Sequence, residues 1–383
     1  MATAPTKVMD ESLASDRQVV VHGWIDAMRI VAAFAVMVGH LRDMLWQDYA
    51  GDWRWAVAYA GTGLGHQAVI VFFVISGYWI TASVMRRIDA PSFWPLYMID
   101  RVTRLQVVLV AALALTFVVD KAGLTWVGGP LYEGTSGAHS VKDGIAQDLG
   151  LSSLVGNLAF GQGLFAPTFG SNAPLWSLAY EFWFYVCFPA LFLLFARRRV
   201  TWALASVVVM ALWPEVAFGF ACWLAGAAVW WVVDSGRAGR ARWPLLESIG
   251  ASGAFLVTAV LASQWGGAAS DLVLAGMFAL LLLALFRSSA RLPSAPLFLQ
   301  RWGQTGSYSL YALHYPLALL LAAMTLNTLT AGARMSPGPL ALAVLLVLVL
   351  VVFCAGLAFA ALIEVRTPAV RRALRERVLR SGR

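Results

Sequence analysis

Charge is scarce in this chain. Only 13% of its 383 residues are Asp, Glu, Lys or Arg, against about 25% in a soluble domain. Cysteine is scarcer: Cys187, Cys222 and Cys354 are scattered through apolar runs. They show no metal or redox spacing and read as small hydrophobes. No Walker-type loop, dinucleotide glycine fingerprint, zinc-type His-Glu spacing or Gly-x-Ser-x-Gly elbow occurs. Those absences argue against ATP-driven transport, metalloproteolysis and soluble hydrolase chemistry. No internal repeat is visible, so an inverted-repeat transporter lacks its usual signature. No secretory signal is expected. The first twenty or so residues are polar, and the first apolar run carries charge where a signal h-region does not.

What the chain has in abundance is apolar length. It is 60% hydrophobic with a mean hydropathy of +0.73, and its 17 Trp suit interfacial belts. Apolar segments near 25–46, 66–86, 105–119, 174–196, 200–213, 216–233, 249–264, 271–287, 306–326 and 340–363 predict an all-α polytopic membrane protein of about ten spans. The segment 200–213 is the shortest. Residues 149–166, broken by glycines, are expected to form a re-entrant or lid element. With both termini cytoplasmic, basic residues fall almost entirely inside. Arg42, Arg54, Lys121, Lys142 and Arg334 alone lie outside, while Arg86, Arg87, Arg197, Arg198, Arg199 and the tail from Arg366 to Arg383 lie inside. The net charge of +8 therefore fits loops facing an anionic leaflet better than nucleic acid. Three parts follow: a cytoplasmic segment 1–23, a membrane domain 24–364 and a basic tail 365–383. Within the domain, 120–173 is a long external loop and 87–104 a basic internal one.

Ionisable residues inside apolar spans are costly and mark sites. Arg29 and His40 lie eleven residues apart in the first span, on one helical stripe and roughly 16 Å apart along the axis. Histidine suits proton transfer near neutral pH. Glu181 is placed near the outer end of the fourth span, where it could orient His40. Arg101 and Arg104 share a face at the expected inner start of the third span, well placed for phosphate. In the ninth span, His314 precedes Pro316, which frees a carbonyl one turn back. Ser76-Gly77 permits close helix approach. A nucleophilic Ser76 lacks any local base motif, and His66 suits a structural or gating role at an outer boundary.

Six motifs in order resemble acyltransferase family 3 of integral membrane proteins, across about residues 24–372. They are Ile25-Asp26-Ala27-Met28-Arg29 continuing to His40, Phe72-Phe73-Val74-Ile75-Ser76-Gly77-Tyr78, and Arg101-x-x-Arg104-Leu105. Then come Trp176-Ser177-Leu178 with Glu181, Tyr308-Ser309-Leu310-Tyr311 with His314 and Pro316, and Ile363-Glu364 with Pro368. Two departures stand out. Val69-Ile70-Val71 replaces an acidic residue before the Phe pair, and Gln106-Val107-Val108 lacks the proline after the Arg-Leu pair.

The resemblance implies transfer of an acyl group, usually acetyl, from acyl-CoA to a hydroxyl of an exported or surface glycan or its lipid-linked precursor. It implies a bacterial cytoplasmic membrane location, acetyl-CoA as donor, no metal and no nucleic acid. Under it, Arg101, Arg104 and Arg29 hold the donor, and His40 removes the acceptor proton. Glu181 orients His40 or stabilises its cation. Asp26, Ser76, Trp176, Ser177, Tyr311 and His314 bind substrate or support the site. Direct transfer and an acyl-His40 intermediate both remain open, as do other acyl donors and macrolide or nodulation-type acceptors. A transporter of a lipid-linked glycan or small molecule is the reading from another class. It would use the same polar cavity without acyl-CoA.

Overall fold

The computed structural model describes residues 4–90, 92–197 and 200–381. Arg198, Arg199 and Arg383, assigned above to the inner side, lie outside the described residues. The helices in order are α1 (Ala4–Leu45), α2 (Trp53–Thr62), α3 (Gly65–Met85), α4 (Phe93–Ala122), α5 (Leu151–Leu158), α6 (Trp176–Arg197) and α7 (Thr201–Leu212). They continue with α8 (Pro214–Asp234), α9 (Pro244–Trp265), α10 (Gly267–Ser288), α11 (Leu297–Thr305), α12 (Ser307–Thr330), α13 (Pro339–Leu362) and α14 (Thr367–Ser381). Among the described residues there is no strand, only isolated bridges such as Trp46 with Met335.

Nine helical stretches among the described residues are long and apolar enough to cross a membrane. They coincide with nine of the ten expected spans. At the tenth, 200–213, α7 has 12 residues, roughly 18 Å, against a hydrocarbon core of roughly 30 Å. The expected basic loop 87–104 needs correction. Residues 93–104 are the first three turns of α4, so Arg101 and Arg104 sit within a helix rather than at its opening. Apolar periodicity does not reveal these turns because it counts each charge alone, whereas Asp100 and Arg104 are paired in the fold.

Helix α3 runs through the centre of the bundle, with 78% of its most apolar window buried; α9 lies at the edge, with 17%. The crossing of α3 and α8 explains the Ser76-Gly77 pair. A Cβ on Gly77 would fall 2.0 Å from the Trp223 carbonyl oxygen, and one on Gly226 1.8 Å from that of Val74. Only glycines allow the two backbones to approach so closely.

One end of the bundle gathers arginines from the start of α4 and from α14. At the other end the loop between α4 and α6 folds back over the helices. Asp43 accepts from the Ser140 backbone N–H (2.8 Å) and hydroxyl (2.7 Å). Tyr315 donates to the Ser140 carbonyl, and Lys142 pairs with Asp148 at 2.6 Å. Burial holds the Lys142 ammonium below its ordinary pKa, with Asp148 opposing. Within this loop α5 reaches deep: Gln106 donates to the Leu158 carbonyl (2.5 Å), and Gln106 lies roughly 24 Å along α4 from its Ala122 end.

Candidate active site

The polar residues of α1, α3, α4, α6 and α12 converge on a cavity of about 230 Å³. Asp26, Arg29, Ser76, Arg101, Arg104, Ser177, Glu181 and Tyr311 all line it. So does Arg371 of α14, which the sequence reading did not single out. Four guanidinium groups and two carboxylates thus face one space.

Each cation is held differently. Arg29 lies 3.9 Å from Asp26, which also accepts from Gln304 at 2.7 Å. Its guanidinium is close enough to Arg104, Glu364 and Glu181 to feel their charges. Arg104 donates to Glu364 at 2.7 Å. The other Glu364 oxygen takes the Ser309 hydroxyl at 2.7 Å, so the carboxylate ties α4 to the start of α12. This pair is why Arg104 sits inside the bundle. Among the described residues, Arg101 has no carboxylate partner. Its guanidinium stacks over the Tyr97 and Tyr185 rings at 5.7 and 5.9 Å, and its Nε is buried without a hydrogen-bond partner.

Glu181 accepts from Tyr185 at 2.5 Å. Its expected role of orienting His40 is not supported by the geometry. It faces the arginine cavity, and no contact joins it to His40 among the described residues. On α6 the carboxylate points to where four cations converge, the more favourable place for a buried negative charge. The neighbour of His40 is instead His314. Their rings stack with centroids 5.4 Å apart and planes at 22°, and Tyr315 packs edge-on against His40 at 5.0 Å. His314 is fully buried. Its Nδ1 lies 2.7 Å from the Tyr311 carbonyl, so Nδ1 carries the proton and Nε2 keeps its lone pair, with no partner. His40 is partly accessible.

Tyr311 stands between the two groups. Its hydroxyl meets Ser177 at 2.6 Å and donates to the Pro174 carbonyl at 2.7 Å, while its ring lies 5.8 Å from His314. Trp176 does not line the cavity and packs edge-on against Tyr180 at 5.0 Å. Ser76 accepts from the Trp223 indole at 3.2 Å and also meets the Tyr185 hydroxyl, which donates to Glu181. His66 pairs with Asp271 at 2.9 Å, joining α3 to α10.

Pro316 has the predicted consequence and an unforeseen partner. The Ala312 carbonyl, one turn before it, cannot receive a helix N–H. Asn172 fills the vacancy, its Nδ2 donating to Ala312 at 2.9 Å and to Thr116 at 3.1 Å. Asn172 is fully buried. Nothing in the loop sequence signals this, because the bond spans 140 residues.

A family model described as an acyltransferase domain, that of acyltransferase family 3, matches residues 22–360. Acyltransferase MdmB of Streptomyces mycarofaciens is 30% identical over 229 residues, 52% of this chain and 52% of that protein. The chain thus matches about half the length of that curated relative. No solved structure matches it.

Proposed function

Because this chain belongs to acyltransferase family 3, we propose that it is a membrane-embedded O-acyltransferase. It moves an acyl group, most simply acetyl, from acyl-CoA to a hydroxyl of an exported or surface glycan or its lipid-linked precursor. The arginine-rich end faces the cytoplasm, as the positive-inside rule favours, and the membrane is the bacterial cytoplasmic one.

The observation that carries this reading is the separation along α1. Arg29 lies in the arginine cavity and His40 beside His314, on one stripe and roughly 16 Å apart. A donor with a phosphate-rich head and a thioester at the end of a long arm fits that division. The head rests among Arg29, Arg101 and Arg104, with Glu181 and Tyr185 completing the wall, and the arm passes Tyr311 and Ser177. At His40 the acceptor oxygen attacks the thioester carbonyl as the imidazole takes its proton. The C–S bond then breaks, and the proton passes to the departing thiolate, which leaves as free CoA. Asp26 anchors Arg29, and Trp176 shapes the wall from behind.

The two sites are tested by separating binding from transfer. In detergent-purified protein, Arg29→Ala is expected to weaken acetyl-CoA binding. His40→Ala is expected to retain binding and lose transfer. Normal transfer by His40→Ala would overturn the assignment.

A further inference from the structure

Beyond the cavity, α14 meets the first turns of α4 in a contact that the acyl-transfer reading leaves unused. Helix α14 lies past residue 360, where the family match ends. Asp100, buried at 5% exposure, is approached by three guanidinium groups. They are Arg375 at 2.7 Å, Arg87 at 3.1 Å and Arg371 at 4.0 Å. Arg101 and Arg104 lie close enough to Arg371 to repel it. Four of these five guanidinium groups pair with Asp100 or Glu364, and Arg101 stacks on tyrosine rings instead. The Nε atoms of Arg101, Arg371 and Arg375 are buried with no hydrogen-bond partner, although Arg371 Nε faces Asp100 Oδ1 at 4.0 Å. Cations in excess of carboxylates, with buried donors free, favour an added anion.

The cluster also joins two spaces. Arg371 lines the cavity of the proposed donor site. One turn on, Arg375 lines a second, largely apolar groove of about 200 Å³, together with Arg87, Phe93, Leu96 and Tyr97. Phe93 and Tyr97 stack in its wall with centroids 5.1 Å apart. An aromatic groove rimmed by guanidinium groups suits a planar base carrying phosphate.

We infer that this groove binds the nucleotide end of a phosphorylated nucleotide donor. Arg371 and Arg101 meet its diphosphate at the cavity mouth, and Arg375 and Arg87 meet a further phosphate on its ribose. This rests on the acyl-CoA reading above and assigns α14 a direct part in holding the donor. An anionic lipid headgroup would present the same phosphate chemistry.

The test compares acetyl-CoA with acetyl-3′-dephospho-CoA, measuring binding to detergent-purified wild type, Arg375→Ala and Arg87→Ala. Wild type is expected to bind the dephospho donor about tenfold more weakly, the loss of one charge-assisted contact. In each variant the difference between the two donors is expected to shrink towards none. Equal discrimination in wild type and variants would overturn the inference while leaving the donor reading intact. Failure of wild type to bind either donor would overturn both. A third arm uses phosphatidylcholine vesicles with and without phosphatidylglycerol. If the variants lose only their response to the anionic lipid and bind both donors as wild type does, the cluster serves a headgroup and the inference falls.

Discussion

Replacing Asn172 isolates a single backbone atom inside the bundle. Its amide donates to the Ala312 carbonyl at 2.9 Å and to the Thr116 hydroxyl at 3.1 Å. Asn172→Leu keeps the branching at Cγ and removes both bonds; its larger volume adds an overpacking cost that cancels in the comparison of backgrounds below. Each bond is worth about 1 kcal/mol net, and the Ala312 carbonyl is then left buried with no donor, so the polar cost is about 2–3 kcal/mol. The carbonyl depends on Asn172 only because residue 316 is proline. In a Pro316→Ala background the helix N–H returns, and Asn172→Leu should then carry a polar cost of about 1 kcal/mol, the share of the Thr116 bond. The difference is a coupling of about 1–2 kcal/mol between residues 144 positions apart in the chain. Unfolding of the four proteins in mixed micelles, followed by tryptophan fluorescence, measures it. An equal cost in both backgrounds would refute the argument.

Other perturbations follow from the same contacts. Gly77→Ala and Gly226→Ala each drive a methyl into a backbone carbonyl of the facing helix, so each should cost about 3 kcal/mol and lower the thermal midpoint, while Gly250→Ala, with open space around it, should not. Glu364→Gln should destabilise the protein by about 3 kcal/mol by leaving Arg104 without its buried counter-charge; an unchanged midpoint would show that another anion already serves it. Glu181→Gln should change the Michaelis constant for donor and leave the pH–rate profile in place, because Glu181 lies with the arginines and not with His40. A shifted profile would restore the expected Glu181–His40 pairing.

Much of the bundle is legible in the chain because a membrane span announces itself by length and apolarity. Nine expected spans correspond to helices of crossing length, and the short segment 200–213 corresponds to a helix of 12 residues. The start of α4 was not legible. Arg87, Asp100, Arg101 and Arg104 read as a basic loop because hydropathy counts each charge alone, whereas Asp100 and Glu364 neutralise much of that charge in the fold. Among the candidate residues, Arg29, Arg101 and Arg104 do face one cavity. Glu181 faces the arginine cavity and not His40, because position along a helix sets depth but not which neighbouring helices meet it. His314 gained its importance from stacking on His40, and Asn172 from a proline far away. Both depend on how distant segments are brought together, which local pattern does not encode.

In the proposed reaction an acyl group passes from a thioester to a glycan hydroxyl with His40 as the base. The most direct test supplies purified protein with acetyl-CoA labelled in the acetyl group and a total membrane glycolipid and polysaccharide extract, beside His40→Ala. The account predicts label in the glycan fraction, released by mild alkali as an ester, with wild type alone. Absence of label with wild type across a panel of acyl-CoA donors, or equal label with His40→Ala, would contradict it.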